Sequence, residues 1–450
     1  MNAKTKKSEK GREVRELDAP SLPRSAFALA PPRGMRDLLP EEYSSRAELR
    51  RRVRSTFRSY GYEVLMTPAF ELAEIIERGL VGSDRRDFLR FVEPESGEIA
   101  LLRPDITPQI ARIAATSMRD RPGPYRLAYE GSVFRRRRGR ARTQQQIEQA
   151  GVELIGEPGP GADAEILRLA AETLIAVGVK EFTLELAHVG LGLAALEPVP
   201  MESREPIVSA IAQKDAAALE RILSGIKLRA AERRAIEALV SLSGPPAETL
   251  KRARKLLKGE AMSRALDELD AVSSAIAQDF PASLSVDLGD LRGQAYYTGA
   301  SFTLWAAGPG EPIGSGGRYD GLLSRFGREM PATGFALNLE NLEWALRARG
   351  VTLKEERPPR VVLLGEGGDG DELVKGLRSR GYEVLTLRAQ RRSEALEYAR
   401  SWGYDLLVQA GQKLRITLIE SERELSLPRA ELEQLEDLLM DERATDARPR

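Results

Sequence analysis

The sequence predicts an α+β fold with a small α/β domain at its C-terminal end. Three observations carry this. Residues 28–199 place long strand-like runs, such as YRLAYEGSVF and QQIEQAGVELIG, beside helical stripes. Residues 200–280 are rich in Ala, Leu, Glu, Arg and Lys at helical spacing and almost lack aromatics, the texture of an all-helical insertion. Residues 361–435 alternate strand and helix, which suggests a small α/β domain with a mainly parallel sheet.

Residues 1–27 are charged, proline-punctuated and aperiodic, and read as a disordered tail. Order is expected from about Pro31. Leu49, Val53 and Phe57 form one helical stripe, with Gly61 as its C-terminal stop. YEVLM is a strand ended by Pro68, and DFLRFVEPESGEIALLRP is a hairpin turning at Pro-Glu-Ser-Gly. Two long strands, YRLAYEGSVF and QQIEQAGVELIG, flank an arginine-rich stretch. A helix from Asp163 to about Val177 and a strand at Phe182–Ala187 complete the first part of the core, 28–199. After the insertion, strand character returns in SLSVDLGDL and YYTGASFTLWA, followed by GSGGRYDGL and GFALNLENLEWALRA, giving a second core part at 281–350. Residues 351–360, with EERPPR, are a linker. VVLLG, YEVLTL, DLLVQA and RITLIE supply the strands of 361–435, which ends in a last helix, and 436–450 is a tail.

Composition removes several classes of function. Lys plus Arg and Asp plus Glu each number 68, without the basic excess usual in duplex-binding proteins. There is no cysteine, so disulfides, iron–sulfur clusters and thiolate zinc sites are excluded. A single histidine, His188, leaves no imidazole cluster for a metal, and it reads as an ordinary residue of a strand. No metal, cofactor or catalytic residue is therefore assigned. No apolar run approaches the ~20 residues that span a bilayer. The N-terminus lacks the apolar stretch of a signal peptide, and a cytoplasmic protein is expected.

Six of the eight residues from Arg135 to Arg142 are arginine. Such a run is a solvated loop, a nucleic-acid patch, or an anion clamp at the mouth of a sheet. The second wants interleaved aromatics for stacking, and none lies between Arg135 and Gln149. The strand–loop–strand context favours the third, with guanidinium forks matching a carboxylate or phosphate. A second glycine-rich string, Gly365-Glu-Gly-Gly-Asp-Gly370, fits GxGxxG between strand and helix. Its acids repel phosphate, and YEVLTL ends at Arg388 with no ribose-binding acid, so dinucleotide binding is disfavoured.

Eight strings occur in one order between Pro31 and Leu342: PPRGMRDLLP, TPAFE, LLRPDIT, YRLAYEGSVFR, QQIEQAGVELIG, LRGQAYYTG, GSGGRYDGL and GFALNLENL. Together they resemble the histidyl-tRNA synthetase family. The resemblance implies a class II aminoacyl-tRNA synthetase-like antiparallel sheet with flanking helices, self-dimerisation through the motif 1 region at Thr67–Glu71, and an anticodon-binding-like C-terminal domain. It also implies where amino-acid activation would need positive charge. Arg135 matches the motif 2 arginine. The family's glutamate two residues on is Arg137 here, and its loop arginine aligns with Thr143. In motif 3, Asn338 replaces a glycine and Asn341 replaces the arginine. Losing one anion-stabilising donor costs about 10²–10³ in rate, so activation of histidine by ATP is expected to be absent.

The amino-acid half matches better. Asp105 stands where synthetases carry glutamate. By the same resemblance Asp105, Thr107, Arg135, Gln149, Glu153, Arg292, Tyr296 and Tyr297 form a pocket for free histidine. Asp105 would meet the ammonium, Arg135 or Arg292 the carboxylate, and the tyrosines the imidazole. Gln149 and Glu153 are four apart on a strand and share a face. Tyr296 and Tyr297, read as consecutive strand residues, point to opposite faces, so one of them meets the ligand. The glycines of GSGGRYDGL are expected to let the ligand lie close to the pocket floor. A site that binds an amino acid without activating it resembles the ATP phosphoribosyltransferase regulatory subunits. That group assembles with a short-form catalytic subunit in the first step of histidine biosynthesis and mediates feedback inhibition by histidine. No tRNA partner is expected. The alternatives are an active histidyl-tRNA synthetase and a tRNA-binding or tRNA-modifying paralogue.

Overall fold

The computed structural model describes residues 30–80, 87–136, 144–277, 279–280, 284–291, 296–353, 355, 357–365, 368–388 and 391–428. The tails expected at 1–27 and 436–450, and the last helix expected after RITLIE, lie outside these. The chain divides into two compact units, Met1–Lys354 and Glu355–Arg450.

The first unit opens with α1 (Pro40–Ser59), which buries Leu49, Val53 and Phe57. The helix stops where Gly61 takes a positive φ of 79°. Then come β1 (Glu63–Leu65), β2 (Phe70–Leu72), α2 (Ala73–Gly79), β3 (Arg90–Val92) and β4 (Ile99–Leu102). Next are α3 (Thr107–Ala115), the long strands β5 (Tyr125–Phe134) and β6 (Gln146–Ile155), α4 (Pro160–Val177) and β7 (Thr183–His188). Helix α5 (Val189–Leu196) follows, and the stretch expected as an insertion, 200–280, runs through α6 (Met201–Ala212), α7 (Ala216–Ser224), α8 (Ala230–Leu239), β8 (Ser243–Gly244), α9 (Pro246–Leu256) and α10 (Glu260–Ala277). The unit closes with β9 (Leu284–Asp287), β10 (Ala300–Trp305), β11 (Gly314–Arg318), β12 (Ala332–Asn338) and α11 (Leu339–Ala348).

Nine strands form one sheet in the order β1-β5-β6-β12-β11-β10-β7-β9-β8. Its centre is antiparallel, and β1 with β5 and β7 with β9 are parallel pairs. A separate three-stranded sheet, β2-β4-β3, carries the predicted hairpin. Two apolar cores lie around the large sheet. One takes the stripe of α1, the buried side of α4 and the inward residues of the insertion. The other contains Tyr129, Ile147, Tyr296 and Tyr319. The insertion is not wholly helical: Ser243–Gly244 pairs with β9 and extends the main sheet. Two residues are too short to register as a strand in any periodicity.

The second unit has β13 (Arg360–Leu364), α12 (Gly368–Ser379), β14 (Glu383–Leu387), α13 (Arg392–Ser401), β15 (Leu406–Gln409), β16 (Lys413–Leu418) and β17 (Glu424–Pro428). Its sheet order is β14-β13-β15-β16-β17. The expectation of a mainly parallel sheet is corrected. β13 pairs parallel with β14 and β15, but β15–β16 and β16–β17 are antiparallel. Residues 410–412 are too short a link to hold a crossover helix, so β16 must turn back beside β15.

Candidate functional site

The predicted polar residues converge on the face of β6 that carries its odd-numbered side chains. Asp105 sits between β4 and the first turn of α3, 5% exposed. Its Oδ1 accepts from the Thr107 backbone N at 3.2 Å, and its Oδ2 accepts from the Tyr296 hydroxyl at 3.0 Å. Thr107 Oγ1 donates to Glu153 Oε1 at 2.6 Å. The Tyr319 hydroxyl donates to the other Glu153 oxygen. Burial pushes the Glu153 carboxyl up to about 8, against hydroxyl hydrogen bonds that pull it down, with the Asp105 charge adding to the rise. The register sets Glu153 opposite Gly334 of β12, where any side chain would overlap the carboxylate.

Gln149 lies four residues before Glu153, opposite Asn338. Its side-chain Oε1 is buried and has no hydrogen-bond partner among the described residues. A buried orphan acceptor costs free energy that a ligand's donor would return. Arg135 is about one-third exposed. It donates from Nε to Pro104 O at 2.5 Å and brings Nη2 to 3.7 Å from Asp105 Oδ2. Arg292 lies outside the described residues, as do Arg137 and Thr143.

The two tyrosines need a correction. They precede β10 in an irregular segment, so strand alternation does not separate them. The Tyr296 and Tyr297 rings meet edge to face at 5.2 Å, and Tyr296 meets Tyr319 at 5.6 Å. Burial raises the pKa of both Tyr296 and Tyr297, and in both the Asp105 charge raises it further. Both rings therefore border the same acids. The glycines of GSGGRYDGL also differ from expectation. A side chain at Gly314, Gly316 or Gly317 would strike backbone atoms of β10 or β12, so these glycines serve close strand packing. The same string holds a residue missed by sequence reasoning, Tyr319, whose hydroxyl reaches Glu153. Tyr129 was missed as well. It lies in the long strand YRLAYEGSVF, its pKa raised first by burial and then by the Glu153 charge. The signal available for Tyr319 was a phenol next to an Arg–Asp pair in a string otherwise poor in side chains.

The motif 3 positions are engaged internally. Asn338 caps α11, its Oδ1 accepting from Asn341 N at 3.0 Å. Asn341 is buried, and its Nδ2 donates to Pro312 O at 2.7 Å. On the opposite face of β6, Glu148 N donates to Glu340 at 3.0 Å, and Arg46 of α1 pairs with Glu340 at 3.1 Å and Glu343 at 2.8 Å. A cavity of about 210 Å³ opens on that face beside Arg46, Gln146 and Glu148, away from the predicted pocket. His188 is structural: it ends β7, accepts from Gly190 N at 3.1 Å and meets Glu268 at 3.0 Å.

Among the described residues the geometry is a buried pair of acids fenced by phenols, with an unpartnered amide oxygen at Gln149 and Arg135 beside Asp105. That suits a small zwitterion carrying extra hydrogen-bonding nitrogen. The family sequence model described as histidyl-tRNA synthetase matches residues 34–342. An ATP phosphoribosyltransferase regulatory subunit of Moorella thermoacetica is 39% identical over 389 residues, covering 85% of this chain and 98% of that protein. The chain belongs to the family of ATP phosphoribosyltransferase regulatory subunits, built on the histidyl-tRNA synthetase fold. Another relative of the same description, from Anaeromyxobacter sp. (strain K), is 41% identical over 345 residues, 75% of this chain and 97% of that one. A Bacillus halodurans C crystal structure, described as an ATP phosphoribosyltransferase regulatory subunit/histidyl-tRNA synthetase, superposes with a TM-score of 0.73 at 27% identity. It covers 86% of this chain and 99% of that one. Histidyl-tRNA synthetase from Nostoc sp. PCC 7120 shares the fold, with a TM-score of 0.72 at 22% identity over 91% of this chain and 99% of that one.

Proposed function

We propose that this chain regulates ATP phosphoribosyltransferase by assembling with its short-form catalytic subunit, and that free histidine in the Asp105–Glu153 pocket is the inhibitory signal. The observation that carries the reading is the contrast inside one ancestral type of site. Asp105 and Glu153 are buried within one hydrogen-bonded group with Thr107, Tyr296 and Tyr319, and Gln149, on the same face of β6 as Glu153, keeps a buried unpartnered oxygen, while Asn341 donates to Pro312 O. In this reading Asp105 takes the ligand's ammonium and Arg135 its carboxylate. Glu153, Tyr296, Tyr297 and Tyr319 surround the imidazole, and Thr107 orients Glu153. Arg292 is proposed as a second carboxylate partner. The chain does not itself activate histidine.

Two copies are proposed to pair through the motif 1 region. Support comes from an apolar face beside Thr67–Glu71: Met66 is 86% exposed, and Phe70, Leu72 and Phe91 share one exposed side of the small sheet. The Phe70 and Phe91 rings meet there at 5.3 Å. Contiguous exposed apolar surface of this kind marks interaction sites. The reading carries a cytoplasmic setting and no tRNA partner. No helix among the described residues is long and apolar enough to cross a membrane.

The deciding experiment is histidine-dependent ATP–pyrophosphate exchange, with histidine binding followed by calorimetry on the same sample. Binding without exchange is expected, followed by histidine-sensitive activation once the short catalytic subunit is added. Robust exchange would instead mark a working synthetase.

A further inference from the structure

The Tyr129 side chain is 1% exposed, and its hydroxyl is buried with no hydrogen-bond partner among the described residues. Two neighbouring phenols differ. Tyr296 donates to Asp105 at 3.0 Å, and Tyr319 donates to Glu153. Strand register places the unpaired hydroxyl. Tyr129 of β5 stands opposite Gly151 of β6, on the face that carries Gln149 and Glu153 to either side of that glycine. A side chain at Gly151 would overlap both the Tyr129 hydroxyl and the ring carbon that bears it. Gly151 is therefore a cradle for the phenol, and the hydroxyl lies over the stretch of β6 between Gln149 and Glu153.

A buried hydroxyl left unpaired lowers stability, and native chains keep few of them. Both Glu153 oxygens are already engaged, by Thr107 and by Tyr319. Burial, and then the Glu153 charge, raise the pKa of the Tyr129 phenol, so it keeps its proton and can donate. Gln149 Oε1, also unpartnered on this face, can only accept. One donor and one acceptor on one face of the β5–β6 pair match a neutral imidazole, which has one bare ring nitrogen and one N–H. A ligand ring without nitrogen would leave both protein groups unpaired.

We propose that Tyr129 is a specificity-determining residue of the histidine pocket, its hydroxyl donating to the bare ring nitrogen of the ligand's imidazole. The inference rests on the histidine reading given above and deepens it by naming a group that tells an imidazole from a ring of similar size without nitrogen. A site built to hydrogen-bond its ligand rejects an analogue that leaves a buried polar group unpaired.

The test is Tyr129→Phe in the full chain, which removes the hydroxyl and keeps the ring. Stability of the ligand-free protein is read by denaturant titration. Affinity is read by calorimetry for histidine, and by displacement of histidine for thienylalanine, which keeps the ammonium, the carboxylate and a ring of similar size but has no ring nitrogen. The variant is expected to be at least as stable as wild type, because an unpaired buried group is gone, and to bind histidine about tenfold more weakly. Its affinity for thienylalanine is expected to hold or rise, so the preference for histidine falls by the same factor. A variant that is less stable, or does not fold, makes the hydroxyl structural and overturns the proposal. Equal losses for both ligands put the hydroxyl against the amino-acid end and overturn the ring assignment. A wild type that binds both ligands equally well overturns the selection. Unchanged histidine affinity in the variant removes Tyr129 from the site and leaves the pocket reading standing. No histidine binding by the wild type overturns the pocket reading and the role of Tyr129 with it.

Discussion

The two faces of β6 bury carboxylates in opposite ways. On one face Glu340 and Glu343 meet Arg46 at hydrogen-bond distance, and Glu340 also accepts from the β6 backbone at Glu148. On the other, Glu153 touches hydroxyls, and the part-exposed Arg135 guanidinium stands 3.7 Å from Asp105. The first arrangement is closed by the protein itself and holds α1, β6 and α11 together. The second holds its acids with hydroxyl and backbone N–H donors, and among the described residues leaves the Gln149 amide oxygen without a partner. Burial alone does not mark a site; burial with unfinished hydrogen bonding does.

The largest effect that would test this contrast is on the closed face. Among the described residues, Arg46→Met leaves Glu340 with only the Glu148 backbone N–H and Glu343 with only the more distant Arg347 at 3.6 Å, and should lower stability by about 3–5 kcal/mol, read by denaturant titration. Histidine affinity of the folded fraction should stay near wild type. If the variant is as stable as wild type, the closed face is not structural.

Next is the pH dependence of the open face. Glu153 is raised in the folded state, so the folded protein holds a proton that the unfolded chain gives up above its ordinary carboxylate range. Stability from this group is full below about pH 4.5 and is lost as pH rises toward about 8, on the order of 5 kcal/mol. Melting of the ligand-free protein from pH 5 to 8.5 should show the decline, and Glu153→Gln should flatten it. An equal slope in the variant would assign the titration elsewhere.

Asp105→Asn should weaken histidine binding by about 1.5–3 kcal/mol in calorimetry, because a charge-assisted bond to the ammonium becomes a neutral one. Unchanged affinity would remove Asp105 from the pocket. The smallest expected effect is at motif 3. Asn341→Ala loses the buried hydrogen bond to Pro312 O and should cost about 1 kcal/mol of stability or more, with no change in histidine affinity. A large affinity loss there would reopen the nucleotide half of the site.

Much of this was legible before any coordinates. The stripe Leu49, Val53, Phe57 specified the buried side of α1, since helical periodicity is a local property. Gln149 and Glu153 shared a face because strand parity is local too. Asp105 and Thr107 came from resemblance, and the structure sets both against their predicted neighbours. The role of Tyr319 is not legible from GSGGRYDGL, because its partner Glu153 lies 166 residues away. Tyr296 and Tyr297 precede β10, which begins only at Ala300, so strand parity does not apply to them.

Side-chain chemistry and spacing along the chain were enough for the family, the helical and strand periods, the asparagine at 341 in place of the family's arginine, and the acids Asp105 and Glu153 as site candidates. Only the tertiary structure decided which acids are matched and which are left open, because charge balance depends on what distant segments bring within about 4 Å. Arg46 and Glu343 are 297 residues apart, and Tyr319 and Glu153 are 166 apart. The antiparallel half of the C-terminal sheet was likewise decided by a link too short for a helix.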